Sequence, residues 1–156
     1  MSLRTILVAL PLFATLLSCT ITPMAGQPKD GPLRPCPNRP NCVNSDGNYH
    51  DQQIDPISFS GSSEKAWQQI QEIIKTLGGE ITEDQPPYLS ATFTSAVFHF
   101  VDDVELRLVP ERKLIHIRSG ARLGYWDLGV NKKRVEKIRR LFMEKQVYGQ
   151  QPQAQK

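Results

Sequence analysis

The chain has 156 residues and sets 19 lysines and arginines against 16 aspartates and glutamates, a formal charge of +3. An excess that mild is no argument for nucleic acid as a partner. The length suffices for one hydrophobic core and not comfortably for two, so a single domain is expected.

The first residues carry one positive charge, Arg4, and then an apolar run from Ile6 to Leu17 broken only by Pro11 and the small residues Ala9, Ala14 and Thr15. A dozen apolar residues fall short of the ~20 that span a bilayer. With the polar, proline-rich stretch that follows, these are the proportions of a secretory signal, and a lone transmembrane anchor is the alternative. The run ends in Leu16, Leu17, Ser18 and Cys19. This resembles the lipobox of bacterial lipoproteins: an aliphatic residue three before the cysteine, a small one just before it, then the acylated cysteine itself. The resemblance implies a signal peptide over 1–18 and lipidation, with palmitate among the chains, at Cys19. It also implies a place in the cell envelope facing the periplasm. Thr20 stands where lipoproteins kept in the inner membrane often carry aspartate, which favours the outer membrane. Each buried lipid methylene contributes about 0.8 kcal/mol, so several chains on one cysteine make the membrane a permanent partner.

Residues 19–35, with Pro23, Gly26, Pro28, Gly31, Pro32 and Pro35, offer little to bury and read as a tether. Cys36 and Cys42 then remain as an even pair, which in an oxidising compartment is expected to form a disulfide. Closing so short a loop contributes roughly 2 kcal/mol. A metal site would need more ligands than this spacing and His50 supply, so neither metal nor cofactor is expected.

A helix is predicted from Ser62 or Ser63, either of which can cap it. Its apolar residues Ala66, Trp67, Ile70, Ile73, Ile74 and Leu77 recur at three and four, and Gly78 and Gly79 are placed to end it. The β-branched and aromatic run from Leu89 to Phe100 predicts strand, broken or bulged where the alternation slips near Ala96. The next two strands check one another. A turn centred on Glu111 and Arg112 sets Val109 opposite Leu114, and Leu108, Leu106, Arg107 and Glu105 then meet Ile115, Ile117, His116 and Arg118. In that register Val104, Leu106, Leu108, Ile115 and Ile117 share one face and the charged pairs share the other.

A last helix, capped by Asn131, buries Val135, Ile138, Leu141 and Phe142 and exposes many lysines and arginines, which could meet anionic lipid or be a solvated face. The domain therefore spans 36–148, and the glutamine-rich residues 149–156 form a tail. The fold class is α+β: a small antiparallel sheet of three to five strands with two helices packed on one face.

Three stretches are together distinctive. They are Cys36-Pro37-Asn38-Arg39-Pro40-Asn41-Cys42-Val43 followed by Ser45; Phe100-Val101-Asp102-Asp103-Val104-Glu105; and Ile117-Arg118-Ser119 leading to Arg122, Gly124, Asp127, Gly129, Asn131 and Arg134. In this order they resemble the bacterial and plastid family known as domain of unknown function 1499, over about Pro35 to Phe142. The chain departs from the family pattern at Asn44, Gly120 and Ala121. The resemblance implies an envelope or lumenal location and no settled activity or cofactor.

The candidate site is the set Asp102, Asp103, Glu105, Arg118, Ser119, Arg122 and Asp127, because the predicted register gathers acids and arginines there. Two arginines beside a glycine-bearing loop can grip a carboxylate or phosphate bidentately, with the acids holding the guanidinium groups in place. The same residues can equally be internal bridges that fix the hairpin and the loop. Asp102 and Asp103 as joint cation ligands would need an irregular turn, since adjacent strand residues face opposite ways. No catalytic residue is assigned. Tyr125 and Trp126 in that loop would mark a binding edge if exposed and close the core if buried. The leading expectation is a non-enzymatic envelope module binding a partner protein, lipid or anionic ligand. The alternative is an envelope enzyme using Asp102, Asp103 or Asp127 with Arg118 or Arg122.

Overall fold

The computed structural model of the chain describes residues 31–47 and 50–148. The predicted signal peptide, Cys19, most of the tether and the tail at 149–156 lie outside the described residues. Among the described residues no helix is long and apolar enough to cross a membrane.

Helix α1 spans Ser63–Thr76, and the choice of cap falls on Ser62, whose hydroxyl accepts the Lys65 N–H at 3.2 Å. Its stripe of Ala66, Trp67, Ile70, Ile73 and Ile74 is buried, and the helix ends into Gly78 at φ +84°. Gly79 has a different reason to be glycine: a Cβ there would stand 2.6 Å from the Phe93 ring.

The sheet is antiparallel and has six strands rather than three to five. They are β1 (Cys42–Asn44), β2 (Ile57–Ser58), β3 (Glu80–Gln85), β4 (Tyr88–Thr94), β5 (Val101–Val109) and β6 (Leu114–Ala121). The order is β1-β6-β5-β4-β3, and β2 also pairs with β6. The three additional strands are marginal by sequence: β1 and β2 are three and two residues long, and β3 is a largely polar edge. The β5–β6 register is the predicted one, from Val109↔Leu114 to Glu105↔Arg118, and it continues to Asp102↔Ala121. Lys113 closes its turn in the left-handed region at φ +53°.

The slip near Ala96 is a full hairpin turn rather than a bulge within one strand. Ser95 N–H donates to the Phe100 carbonyl at 2.8 Å, and the Ser95 hydroxyl accepts from Phe100 N–H at 2.9 Å. His99 adopts φ +53° between them. Val97, Phe98 and Phe100, read from sequence as strand residues, are therefore lifted out at a loop tip.

Helix α2 spans Val130–Tyr148 and buries Val135, Ile138 and Phe142. Its N-terminus is capped by Asp127 and not by Asn131. The Asp127 carboxylate accepts from Gly129 N–H at 2.9 Å and Asn131 N–H at 2.8 Å, which frees the Asn131 side chain to turn inward. Residues of both helices share one core with Leu89, Ala91, Val104, Leu106, Leu108, Ile115 and Ile117.

Alternation sends Glu105, Arg107, His116 and Arg118 to the other side of the sheet, and that side is not left to solvent. Leu33 is buried there, its N–H donating to the Asp46 carboxylate at 2.8 Å, and Asn44 donates its amide to the Arg34 carbonyl at 2.9 Å. The last residues of the predicted tether are thus part of the packed structure, because Leu33 supplies an apolar side chain and Arg34 a charge that this face needs.

Candidate functional site

The seven candidate residues fall into three separate constellations. On the roofed side of the sheet, Glu105 is 1% exposed and is held from three directions. Arg118 and Arg34 each place a nitrogen 2.9 Å from its carboxylate, and the Tyr88 hydroxyl donates to it at 2.8 Å. Burial first, and then the Glu105 charge, push the Tyr88 phenol far above its ordinary range. Arg118 is committed here and is itself buried, although its Nε has no partner among the described residues.

Next to this cluster Asp46 receives both the Nε and the Nη2 of Arg107 at 2.7 Å. Burial alone would raise the Asp46 pKa, but the Arg107 bonds, the Leu33 N–H and the charges of His116 and Arg107 outweigh it and bring it below the usual carboxylate value. His116 is pushed down, chiefly by burial and against the pull of Asp46 and the Ser45 carbonyl, 3.0 Å from Nδ1. Burial thus favours its neutral form, in which Nδ1–H donates to that carbonyl.

The second constellation is the pair Asp103–Arg122. The guanidinium donates to one carboxylate oxygen from Nη2 at 2.7 Å and from Nε at 3.0 Å, in a partly exposed setting. The hydrogen bonds to Asp103 raise the Arg122 pKa above its already high value.

The third is built around the start of α2. Arg134 donates to Asp102 at 2.6 Å, to Asn131 Oδ1 at 2.6 Å and to the Ser119 hydroxyl at 3.1 Å, and its guanidinium lies 4.7 Å over the Phe93 ring. Ser119 in turn donates to Asn131 Oδ1 at 2.5 Å. Asp127 is spent on the helix cap. Asp102 and Asp103, adjacent on β5, thus diverge toward Arg134 and Arg122 and do not converge on one point.

Sequence reasoning did not find Arg34, Asp46, Tyr88 or Arg134 as partners. Only Arg134, at helical spacing from Asn131, carried a local signal; the others are brought in by chain segments remote in sequence.

A different surface is open. Between the Asn38–Val43 segment and the Tyr125–Lys132 segment lies a groove of about 600 Å³ whose lining includes Arg39, Asp51, Tyr125, Trp126, Asn131 and Lys132. Cys36 and Cys42 stand at disulfide distance, Cα atoms 5.7 Å apart, and this tie sets the loop that forms one wall. Gly120 lies beneath it, where a Cβ would come within 3.0 Å of Cys42 Sγ. Asn41 anchors the wall from inside, donating its amide to the Gly124 carbonyl at 2.7 Å and accepting at its own carbonyl from Ala121 N–H at 3.0 Å.

Tyr125 and Trp126 are exposed, which is the condition set above for a binding edge. The side chains of Arg39 and Lys132 have no carboxylate partner among the described residues, in contrast to Arg107, Arg118, Arg122 and Arg134.

The model of one family, described as a protein of unknown function (DUF1499), matches residues 32–142. No curated protein and no solved structure matches the chain.

Proposed function

Because the chain belongs to the DUF1499 family, whose description assigns no activity, we propose a function from the site itself: a lipid-anchored cell-envelope module that binds an anionic partner through the groove between Asn38–Val43 and Tyr125–Lys132. In this reading residues 1–18 are a signal peptide, Cys19 carries the lipid, and the domain faces the periplasm, with the outer membrane favoured. Binding rather than catalysis is the role, and the acid–arginine clusters supply the rigidity behind the groove.

One observation carries this reading. Each arginine of the candidate clusters is closed on a carboxylate at 2.6–2.9 Å, whereas Arg39 and Lys132 share the groove with exposed Trp126 and Tyr125 and with Asp51, and neither forms an ion pair among the described residues. Uncommitted cations next to exposed aromatic rings can recognise an anion without first breaking an internal bridge. A guanidinium already paired to a buried carboxylate cannot, because withdrawing it leaves that charge unpaired.

The test is the thermal midpoint of the purified chain with and without an extract of envelope lipids and metabolites. Wild type gains stability from the extract, while an Arg39→Ala/Lys132→Ala variant has nearly the wild-type midpoint and gains nothing. A gain that survives in this variant and disappears in Arg122→Ala would move the site to the Asp103–Arg122 pair and overturn the proposal.

A further inference from the structure

Most of the exposed large apolar side chains among the described residues gather at one end of the sheet, in two loops. The β4–β5 turn carries Val97, Phe98 and Phe100, and the loop from β6 to α2 carries Leu123, Tyr125, Trp126 and Leu128; Phe98 is 73% exposed and Trp126 66%. The sheet register brings the two loops together. β5 begins where β6 ends, and Arg122 N–H donates to the Val101 carbonyl at 3.1 Å, placing Phe100 and Leu123 just beyond a shared rung. The Phe98 and Phe100 rings stack with centroids 5.6 Å apart, so that tip has a defined shape. A contiguous exposed apolar set of this kind marks a surface that is covered in use.

We propose that this rim inserts into the surface of an anionic phospholipid bilayer, so that the anionic partner of the groove is the lipid headgroup layer itself. The proposal rests on the binding role assigned to the groove and names its ligand class. Its chemistry is that of the bilayer interface: Phe, Leu and Val at two loop tips, with Tyr and Trp, the residues enriched at headgroup depth, beside them. The flanking charge agrees. Arg39 and Lys132 line the adjoining groove, and Lys133, whose ammonium lies 3.5 Å from the Leu128 carbonyl, sits against the loop. Lysine is depleted at the heart of protein interfaces but is drawn to anionic headgroups, which favours a membrane over a protein as the occupant. Asp51 lines the groove with them, and Asp127 is turned to the helix cap.

The chain outside the described residues permits this placement. Leu33 meets Asp46, which grips Arg107, so the chain enters the domain toward the far end of β5 from the rim. The six residue steps from Arg107 to Val101 span about 20 Å of strand. Cys19 and Gly31 are twelve positions apart, up to about 40 Å of extended chain. An anchor at Cys19 can therefore hold the rim against the same bilayer, where tethering raises the local concentration of even a weak membrane contact.

The experiment is tryptophan quenching in the full chain placed on vesicles of phosphatidylethanolamine and phosphatidylglycerol with brominated acyl chains, read beside vesicle flotation. Trp67 is buried, so Trp126→Phe assigns the signal. Trp126 is expected to be quenched by the bromolipid and to be lost to aqueous iodide. Phe98→Asp/Leu123→Asp, both at exposed positions, should abolish the bromolipid quenching while flotation continues. If wild type floats and Trp126 remains as open to iodide as in detergent, the anchor stands and the membrane-inserting rim is overturned. Shielding from both quenchers would overturn it too, in favour of a protein cover. A chain that fails to float, yet whose Trp126 is quenched on contact with the vesicles, removes the anchor and keeps the rim.

Discussion

The two sides of this small sheet reverse the usual distribution of polarity. On the side opposite Leu106, Leu108, Ile115 and Ile117, carboxylates and guanidinium groups lie beneath the segment from Leu33 to Asp46, and Glu105, with Arg118, is buried. At the loop end, phenylalanine, leucine and tryptophan stand in solvent, and the cations Arg39 and Lys132 of the adjoining groove have no carboxylate partner among the described residues. The contrast teaches that charges and apolar groups have to be sorted by what the fold closes them on. Charges that complete one another inside the fold fix its geometry, and apolar groups that the fold declines to bury are the ones available to a partner.

The sharpest break of that contrast is Glu105→Ala. It strands Arg118 in the interior and takes from Arg34 the carboxylate the two share, and should cost about 3–5 kcal/mol in denaturant unfolding. A cost below about 1 kcal/mol would mean that the roofed cluster is not structural. Second in size is removal of the tie at the edge of the roof by Cys36→Ser/Cys42→Ser. Loop entropy predicts a loss of roughly 2 kcal/mol, and the same variant should weaken groove binding because one wall is freed.

Smaller again is the pH response of the roof. Burial favours the neutral form of His116, so as pH falls through and below its ordinary value of 6.5 the unfolded chain takes up the proton first and stability declines. Asp46, net lowered below its ordinary 3.8, contributes stability above that value and loses it as pH falls further, so both groups act in the same direction. The thermal midpoint should therefore drop from pH 7 to pH 4, and His116→Gln should flatten the upper part of that slope; equal slopes would remove His116 from the account. The smallest effects belong to the open end. Arg122→Ala, breaking a partly exposed pair, should cost at most about 1 kcal/mol, and Phe98→Ser should stay within about 0.5 kcal/mol of wild type, although it is expected to damage membrane contact most.

Legibility in the sequence followed the range of the interactions. The α1 stripe and the β5–β6 register were readable because periods of 3.6 and 2, together with one turn, determine them locally. The strands β1 and β2 were not, being too short to show alternation and held by pairing to β6. The Ser95–Phe100 turn hid inside an apolar run because apolar residues exposed at a loop tip have the same sequence pattern as a buried strand. Asp127 displaced Asn131 as the cap because the tertiary structure gave the asparagine another task, bonding Ser119 and Arg134.

Of the candidate site, the Glu105–Arg118 contact was legible as a cross-strand pair, while its burial was not, since that depends on Leu33 and Arg34 arriving from over 70 residues away. The sequence alone determined the two helices, the central hairpin, the cysteine pair and the family resemblance, all of which rest on neighbours close along the chain. Only the tertiary structure decided which charges are spent on one another and which apolar residues remain outside, because both depend on what distant segments cover.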